Sequence, residues 1–331
     1  MTIGFPSKAK NKGGPGSFQV TFENHIKTLG WRVIYPEDKI VPHVILIPGG
    51  TRKLFWLIKM KRKGAKIFFR LGGINWLYKY KSVPLFRKLY LNIQIFLTPY
   101  IQKFFSDGII YQSNFSKEWL LKLKQSYNHK NNTIIYNGVD LTKFYPSNNY
   151  SGEISLLCIE GNIDYSPYSI DLLNQLQERL INKSSYKSLL LYGNFENPGN
   201  IERLHPDINY KGYIRRDEIS KVYKNAVYLS LDVNAACPNT VIEALASGIP
   251  VIGFDTGALK ELVPTGAGEI VPYGGDPWKL DFPDVEILIE AAKKVLNNWE
   301  NYSKSARILA EERFSLTDVA EKYILFLRSI A

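Results

Sequence analysis

In residues 237–262, CPNTVIEALASGIPVIGFDTGALKEL, one carboxylate, Glu243, stands alone between Pro238 and Gly248 in a run of small and apolar residues. Thr240 and Glu243 have the S/T-x-x-E spacing of a capping box, in which the glutamate reaches back to an unpaired amide at the helix start. The same carboxylate suits a second use. Ala244, Ala246 and Ser247 build a short helix able to press closely on a sheet, Gly248 stops it, and Pro250 leads into a strand. The amino end of such a helix points out of the strand ends, where free amides and the helix dipole attract phosphate by about 0.3–1 kcal/mol. DTGALKEL supplies another helix start one strand later. A carboxylate beside phosphate is repelled by it but suits a neighbouring hydroxyl pair, as carboxylates that hold a ribose do. The pattern predicts a nucleotide, with phosphate on the amides and ribose on Glu243.

Three other segments have the residue types of a ligand loop. KAKNKGGPGS follows the first strand, and Gly13, Gly14 and Gly16 would let backbone amides approach a ligand; an exposed flexible loop has the same composition. It lacks the Gly-Lys-Ser/Thr ending of a P-loop and the G-x-G-x-x-G spacing of a dinucleotide turn. IEGNIDYSP places Gly161 and Asn162 at a turn. YKGYIRRDEIS ends a strand at Tyr213 and Ile214 and sets Arg215 and Arg216 before a helix, where solvated arginines are the plain reading. His25, His43, His129 and His205 fall at no strand end facing the cleft, and Cys158 and Cys237 give neither a disulfide framework nor metal-ligand spacing, so no metal site is expected.

These residues need a scaffold of strand ends. TIGFPS, WRVIYP, HVILIPGG, KIFFRLGG, GIIYQS and TIIYNG are short Ile-, Val-, Phe- and Tyr-rich runs closed by turn residues, and they read as strands. Helical apolar spacing lies between them, as in SFQVTFENHIKTLG and SKEWLLKLKQSY, and that alternation implies parallel sheets. The polar stretch YPSNNYSGE interrupts the series, and ISLLCIEG, SLLLYGNF, INYKGYI, VYLSLD, PVIGFD and GEIVPY begin a second one. The expected fold is α/β, with two Rossmann-like domains facing each other across a cleft: residues 1–148, then 149–314. The final helical segment, 315–331, is expected to pack back on the first. At 331 residues the chain exceeds the size of a single hydrophobic core.

Charge is unevenly divided. Residues 1–150 hold 24 Lys and Arg against 6 Asp and Glu, a balance of +18, while residues 151–331 hold 18 against 25, or −7. Such asymmetry sets one domain against something anionic. The basic half contains KYKSVPLFRKLYLNIQIFLTPYIQKFF, residues 79–105, which mixes aromatics with Lys79, Lys81, Arg87, Lys88 and Lys103 and has no acid. It suits a lipid interface, and equally a helix pair with lysines at its edge. No nucleic-acid recognition module is legible. The absence of a secretory pattern and of an apolar run long enough to span a bilayer points to a cytoplasmic protein, and with residues 79–105 at a lipid interface it would be peripheral on the inner face of the membrane.

Residues 237–262 closely resemble the donor-binding segment of glycosyltransferase family 4, whose members have the GT-B fold. YQSNFSKEWL and YNGVDLTKFYP are similar to that family's signature at the end of the first domain, and GYIRRDEISKVYKNAVYLSLD to its approach to the nucleotide site. The resemblance implies transfer of a sugar from a UDP- or GDP-linked donor to a glycan or lipid-linked acceptor. It further implies retention, no metal or other cofactor, and a place in surface polysaccharide or glycolipid synthesis. By the same resemblance Glu243 holds the ribose, Tyr213 and Ile214 border the base, and Asn239 and Thr240 lie near the diphosphate. Gly14 and Gly16 lie near the transferred sugar, and Gly161 marks the first donor-domain turn.

The chain departs from the family at several of these positions. Ala235 stands eight positions before Glu243, where the family has a glutamate, and Asn162 stands where it has a diphosphate-binding arginine. The family lysine a few residues on is missing from YSPYS, and Arg70 takes the place of a first-domain histidine. Arg70, Arg215, Arg216 and the lysines at 8, 10 and 12 are the candidate replacements, and Arg70 joins Glu243 as a candidate catalytic group. A nucleotide-sugar binder with weak or no turnover is the alternative, and a nucleic-acid-binding protein a more distant one.

Overall fold

The computed structural model describes residues 1–9, 13–73, 76, 96–147, 152–183 and 185–331. Two compact units result: residues 1–137 with 316–331, and residues 138–315. The sequence reading placed its boundary at 148.

In the first unit six parallel strands run in the order β2-β1-β3-β4-β5-β6. They are β1 (Thr2–Gly4), β2 (Arg32–Ile34), β3 (Val44–Pro48), β4 (Lys66–Leu71), β5 (Gly108–Tyr111) and β6 (Asn132–Ile134). Helices α1 (Gly13–Thr28), α2 (Leu54–Arg62), α3 (residues 96–105) and α4 (Asn114–Lys122) lie between them. The period-2 alternation of the strands divides the core in two. Val44, Leu46, Phe68 and Ile110 pack with Phe18, Phe22 and Ile26 of α1; Ile45, Ile47, Ile67, Phe69 and Ile109 pack with Leu57 and Met60 of α2. Near-continuous apolar runs are what strands covered on both faces require.

The second unit repeats the plan in the order β12-β11-β10-β7-β8-β9, again parallel. Its strands are β7 (Ile154–Asn162), β8 (Tyr186–Asn194), β9 (Ile208–Gly212), β10 (Ala226–Ser230), β11 (Val251–Phe254) and β12 (Gly268–Val271). Its helices are α5 (Ser169–Leu180), α6 (Asn239–Ala246), α7 (Leu259–Leu262), α8 (Val285–Asn297) and α9 (Trp299–Phe314). The winding direction reverses between β7 and β10, and the carboxyl ends of strands at such a switch point are where open α/β sheets bind ligands.

The last helix, α10 (Leu316–Arg328), belongs to the first unit, where Val319, Ala320, Tyr323 and Leu327 pack on α1 and the sheet. All twelve predicted strands are present. Two helical expectations are corrected. The glycine segment is not an open loop throughout, since Gly13, Gly14 and Gly16 lie in the first turn of α1 around Pro15, a position that tolerates proline because its N–H would be unpaired. DTGALKEL forms only the single turn α7, so it brings little of the dipole expected of a second helix end.

Candidate functional site

Helix α6 carries Glu243. Its apolar side is buried through Val241, Ile242, Ala244, Leu245 and Ala246. Gly248 ends it at φ +67°, a conformation open to glycine, and a Cβ there would lie 3.1 Å from Pro146 Cγ. The capping-box expectation fails: the cap position is Pro238, no side chain caps the helix, and Glu243 does not turn back to its start. Helical spacing instead places Glu243 one turn in, where its side chain is 3% exposed.

What holds that carboxylate is Arg216. Arg216 Nη1 donates to Glu243 Oε2 at 2.8 Å and Nη2 donates to Oε1, a fork-to-fork pair. Burial pushes the Glu243 carboxyl upward while the hydrogen bonds and charge of Arg216 pull it down, with exposed Lys143 adding to that pull; the net direction is upward. Burial opposes the Arg216 charge, but the hydrogen bonds and attraction of Glu243 outweigh it and raise its pKa. A guanidinium keeps its proton at any ordinary pH, so the pair is a cation on a carboxylate.

The segment YNGVDLTKFYP arranges the surroundings. Asp140 Oδ1 accepts from Thr142 N at 2.9 Å, Thr142 Oγ1 at 2.7 Å and Lys143 N at 3.3 Å, a local turn that presents Lys143 and Phe144. Arg307 Nη1 donates to Phe144 O at 2.9 Å and Ala246 O at 2.5 Å, fastening that turn to the end of α6. Phe144 meets Tyr223 edge-on at 5.9 Å, and the Tyr223 hydroxyl donates to Thr240 O at 3.1 Å.

At the switch point two acids converge. Glu160, near the end of β7, accepts from Leu231 N at 3.3 Å, just beyond the end of β10, and Asp232 follows. Desolvation raises the Glu160 carboxyl well above the ordinary range, and the charge of Asp232 adds to it. Asp232 is open to solvent on one side, yet desolvation among the surrounding groups lifts its pKa to about 6. Tyr165 braces the turn, its hydroxyl donating to Leu231 O and accepting from Val233 N at 2.8 Å. Sequence reading did not single out these acids; the available signal was an acid closing the otherwise apolar ISLLCIEG.

The remaining expected positions of this unit lie close in sequence to these strand ends. Gly161 opens onto free space, with nothing within 4 Å of a Cβ built there, and Asn162 closes β7 with its Oδ1 buried and without a hydrogen-bond partner. Tyr213 is 65% exposed and Ile214 half-buried beyond β9. Arg215 pairs with Asp217 at 3.2 Å and Glu218 at 3.4 Å, and only a single 3-10 turn, Ile219–Lys221, follows it. Asn239 and Thr240 are the half-buried first residues of α6. Ala235 is half-buried, and its backbone lies against Gly257, which stands at φ +60° and where a Cβ would come within 2.5 Å of the Ala235 N and O.

In the first unit, Gly14 is exposed with nothing within 4 Å of a Cβ, and Gly16 is half-buried. Arg70 is 1% exposed at the end of β4. Its Nε donates to the Tyr323 hydroxyl at 3.0 Å, its Nη2 donates to Asn137 Oδ1 at 2.5 Å, and its carbon centre lies 3.7 Å from the Phe18 ring centroid. The side chain therefore joins β4, α1 and α10. Lys8 is exposed and pairs with Glu37 at 3.4 Å; Lys10 and Lys12 lie outside the described residues. Among the described residues no group of three or more His, Cys, Asp or Glu side chains is arranged to hold a metal ion.

Residues 157–298, all within the second unit, match the family model described as glycosyl transferases group 1. No curated protein sequence matches the chain. Solved structures do. Sucrose-phosphate synthase from Thermosynechococcus elongatus has 15% identity and a TM-score of 0.72 over 99% of this chain and 98% of that one. A glycosyltransferase from Rickettsia africae ESF-5 has 17% identity and a TM-score of 0.72 over 99% and 98%. Anabaena HepE in complex with UDP-glucose has 15% identity and a TM-score of 0.68 over 99% and 100%. At such identities the likeness shows the fold, which is the α/β fold with two parallel six-stranded sheets expected from the sequence.

Proposed function

We propose that the protein is a glycosyltransferase of the family 4 kind that moves a sugar from a UDP- or GDP-linked donor to a glycan or lipid-linked acceptor with retention. The observation that carries this reading is the match of residues 157–298 to the group 1 model, because that segment contains the carboxyl end of β7, α6, Glu243 and the switch point. HepE was solved with UDP-glucose, and a pneumococcal O-GlcNAc transferase of related fold with UDP and GlcNAc. Glu243 is assigned to the ribose, the start of α6 with Asn239 and Thr240 to the diphosphate, and Tyr213 and Ile214 to the base. Chemistry of this kind is electrostatic: donors aimed at the departing nucleoside diphosphate stabilise its growing charge, and no protein nucleophile is required. The donor serves as co-substrate, with no metal or other cofactor.

A binder of slow turnover is the second reading, and particular residues favour it. Asp232 puts negative charge at the switch point beside Glu160, whose carboxyl burial pushes toward the neutral form, Asn162 supplies no cation, and Ala235 no carboxylate. Incubation with radiolabelled UDP- and GDP-sugars and a membrane extract separates the two: label carried into glycan or lipid supports the enzyme, whereas donor binding with no transfer supports the binder.

We also assign the acceptor side to an anionic membrane surface and a role in surface polysaccharide or glycolipid synthesis. On α3, Phe96, Leu97, Tyr100 and Phe104 are 64%, 45%, 51% and 71% exposed around exposed Lys103, while Ile101 and Phe105 face the core. An apolar face with cations in a strongly basic half suits a peripheral lipid contact. The earlier part of that segment, residues 79–95, lies outside the described residues. Among the described residues no helix is long and apolar enough to cross a membrane.

A further inference from the structure

We propose that Arg216 is a cover on Glu243 that makes the site select phosphorylated nucleotides over bare nucleosides. This rests on the nucleotide-donor reading and adds a residue and a selection rule to it. Both Glu243 oxygens are taken by the Arg216 guanidinium, and the Glu243 side chain is 3% exposed against 36% for Arg216. A ribose diol arriving from solvent therefore meets the guanidinium first. It reaches the carboxylate only if Arg216 leaves.

The cost of that exchange depends on what else the ligand carries. A nucleoside returns two hydrogen bonds to Glu243 but offers the displaced guanidinium no anion, and an unpaired cation near a desolvated site is unfavourable. A nucleoside diphosphate returns the same two bonds and also presents phosphate oxygens, which match a planar guanidinium. Arg216 is able to change partners because its guanidinium hydrogen-bonds only to Glu243 among the described residues. Its backbone lies four residues past the end of β9, where Gly212 takes φ +73° and Tyr213 is exposed. Among the described residues the side chains at the switch point include Glu160, Asn162 and Asp232 and no cation, and Arg215 is paired with Asp217 and Glu218. Lys143, exposed beside Glu243, helps to hold the liberated charge balance but makes no hydrogen bond to the carboxylate. Arg216 is in this sense a specificity-determining residue, oriented by Glu243 while the site is empty and by phosphate when it is filled.

The test is calorimetric titration of the full chain with uridine, UDP, guanosine and GDP, on the wild type, Arg216→Ala and Arg216→Lys. With the base that the wild type binds, Arg216→Ala is expected to tighten the nucleoside by about 5-fold or more and to weaken the diphosphate by about 10-fold or more, since a charge-assisted contact is lost only by the latter. Arg216→Lys, which keeps the charge but not the fork, is expected to tighten the nucleoside and hold the diphosphate within about 3-fold. If Arg216→Ala does not fold, the lysine variant decides alone. Movement of nucleoside and diphosphate affinity in the same direction, or no change in their ratio, overturns the cover while leaving the nucleotide reading intact. A wild type that binds none of the four ligands overturns both.

Discussion

The guanidinium of Arg70 lies 3.7 Å from the centroid of the Phe18 ring, with its Nε and Nη2 donating to Tyr323 and Asn137. An arginine at a strand end with 1% exposure and three such partners is a structural junction of the first unit. Arg70→Met keeps the bulk and removes the charged donors, and it is expected to destabilise the protein by about 2–4 kcal/mol through two lost charge-assisted hydrogen bonds and a cation–π contact. Urea unfolding measures this. Unchanged stability together with lost transfer activity would instead return Arg70 to the catalytic role suggested by sequence.

Asp232 makes stability depend on pH in an unusual direction. Its folded pKa of about 6 exceeds the ordinary carboxylate value of about 4, so the folded state holds the proton more tightly. The associated stability is full below about pH 4 and is lost as pH rises through 6. Asp232→Asn, which cannot ionise, is expected to gain in melting temperature relative to the wild type on going from pH 4.5 to pH 7.5. A difference that stays flat across that range contradicts the assignment.

On the proposed nucleotide reading, the charge of Asp232 would oppose an incoming diphosphate. Asp232→Asn is expected to strengthen UDP or GDP binding at pH 7.5 by a few-fold, and the gain should shrink at pH 5, below the Asp232 pKa of about 6. Titration at the two pH values reads it directly. Weaker binding in the variant would show that the carboxylate holds the ligand.

The exposed face of α3 gives a membrane prediction. Phe96→Ser with Phe104→Ser is expected to lower flotation with vesicles containing phosphatidylglycerol while leaving the melting temperature within about 2 °C, because both rings are 64% or more exposed. Wild-type protein that ignores such vesicles at low salt removes the lipid contact altogether.

Local signals were legible in the sequence and pairings across the fold were not. Every strand was marked by its own apolar run and turn residues, and α6 by its small residues, Gly248 and Pro250. The partner of Glu243 is 27 positions away and comes from the loop after β9, a strand that lies at the far edge of the sheet from β11. Nothing local to RRDE distinguishes a paired Arg216 from a solvated one. Glu160 and Asp232 meet only because β10 crosses over to pair with β7, an event no short window encodes. Arg70 misled for a related reason: its burial is produced by Phe18 of α1 and Tyr323 of α10, from opposite ends of the chain.

Binding of a nucleoside diphosphate at Glu243 is the central claim, and titration of UDP and GDP into the wild type and Glu243→Gln tests it most directly. The wild type should bind one of them with a Kd in the micromolar range, and Glu243→Gln should weaken that ligand by about 10-fold or more. Equal affinity in the two proteins, or no binding to either, contradicts it.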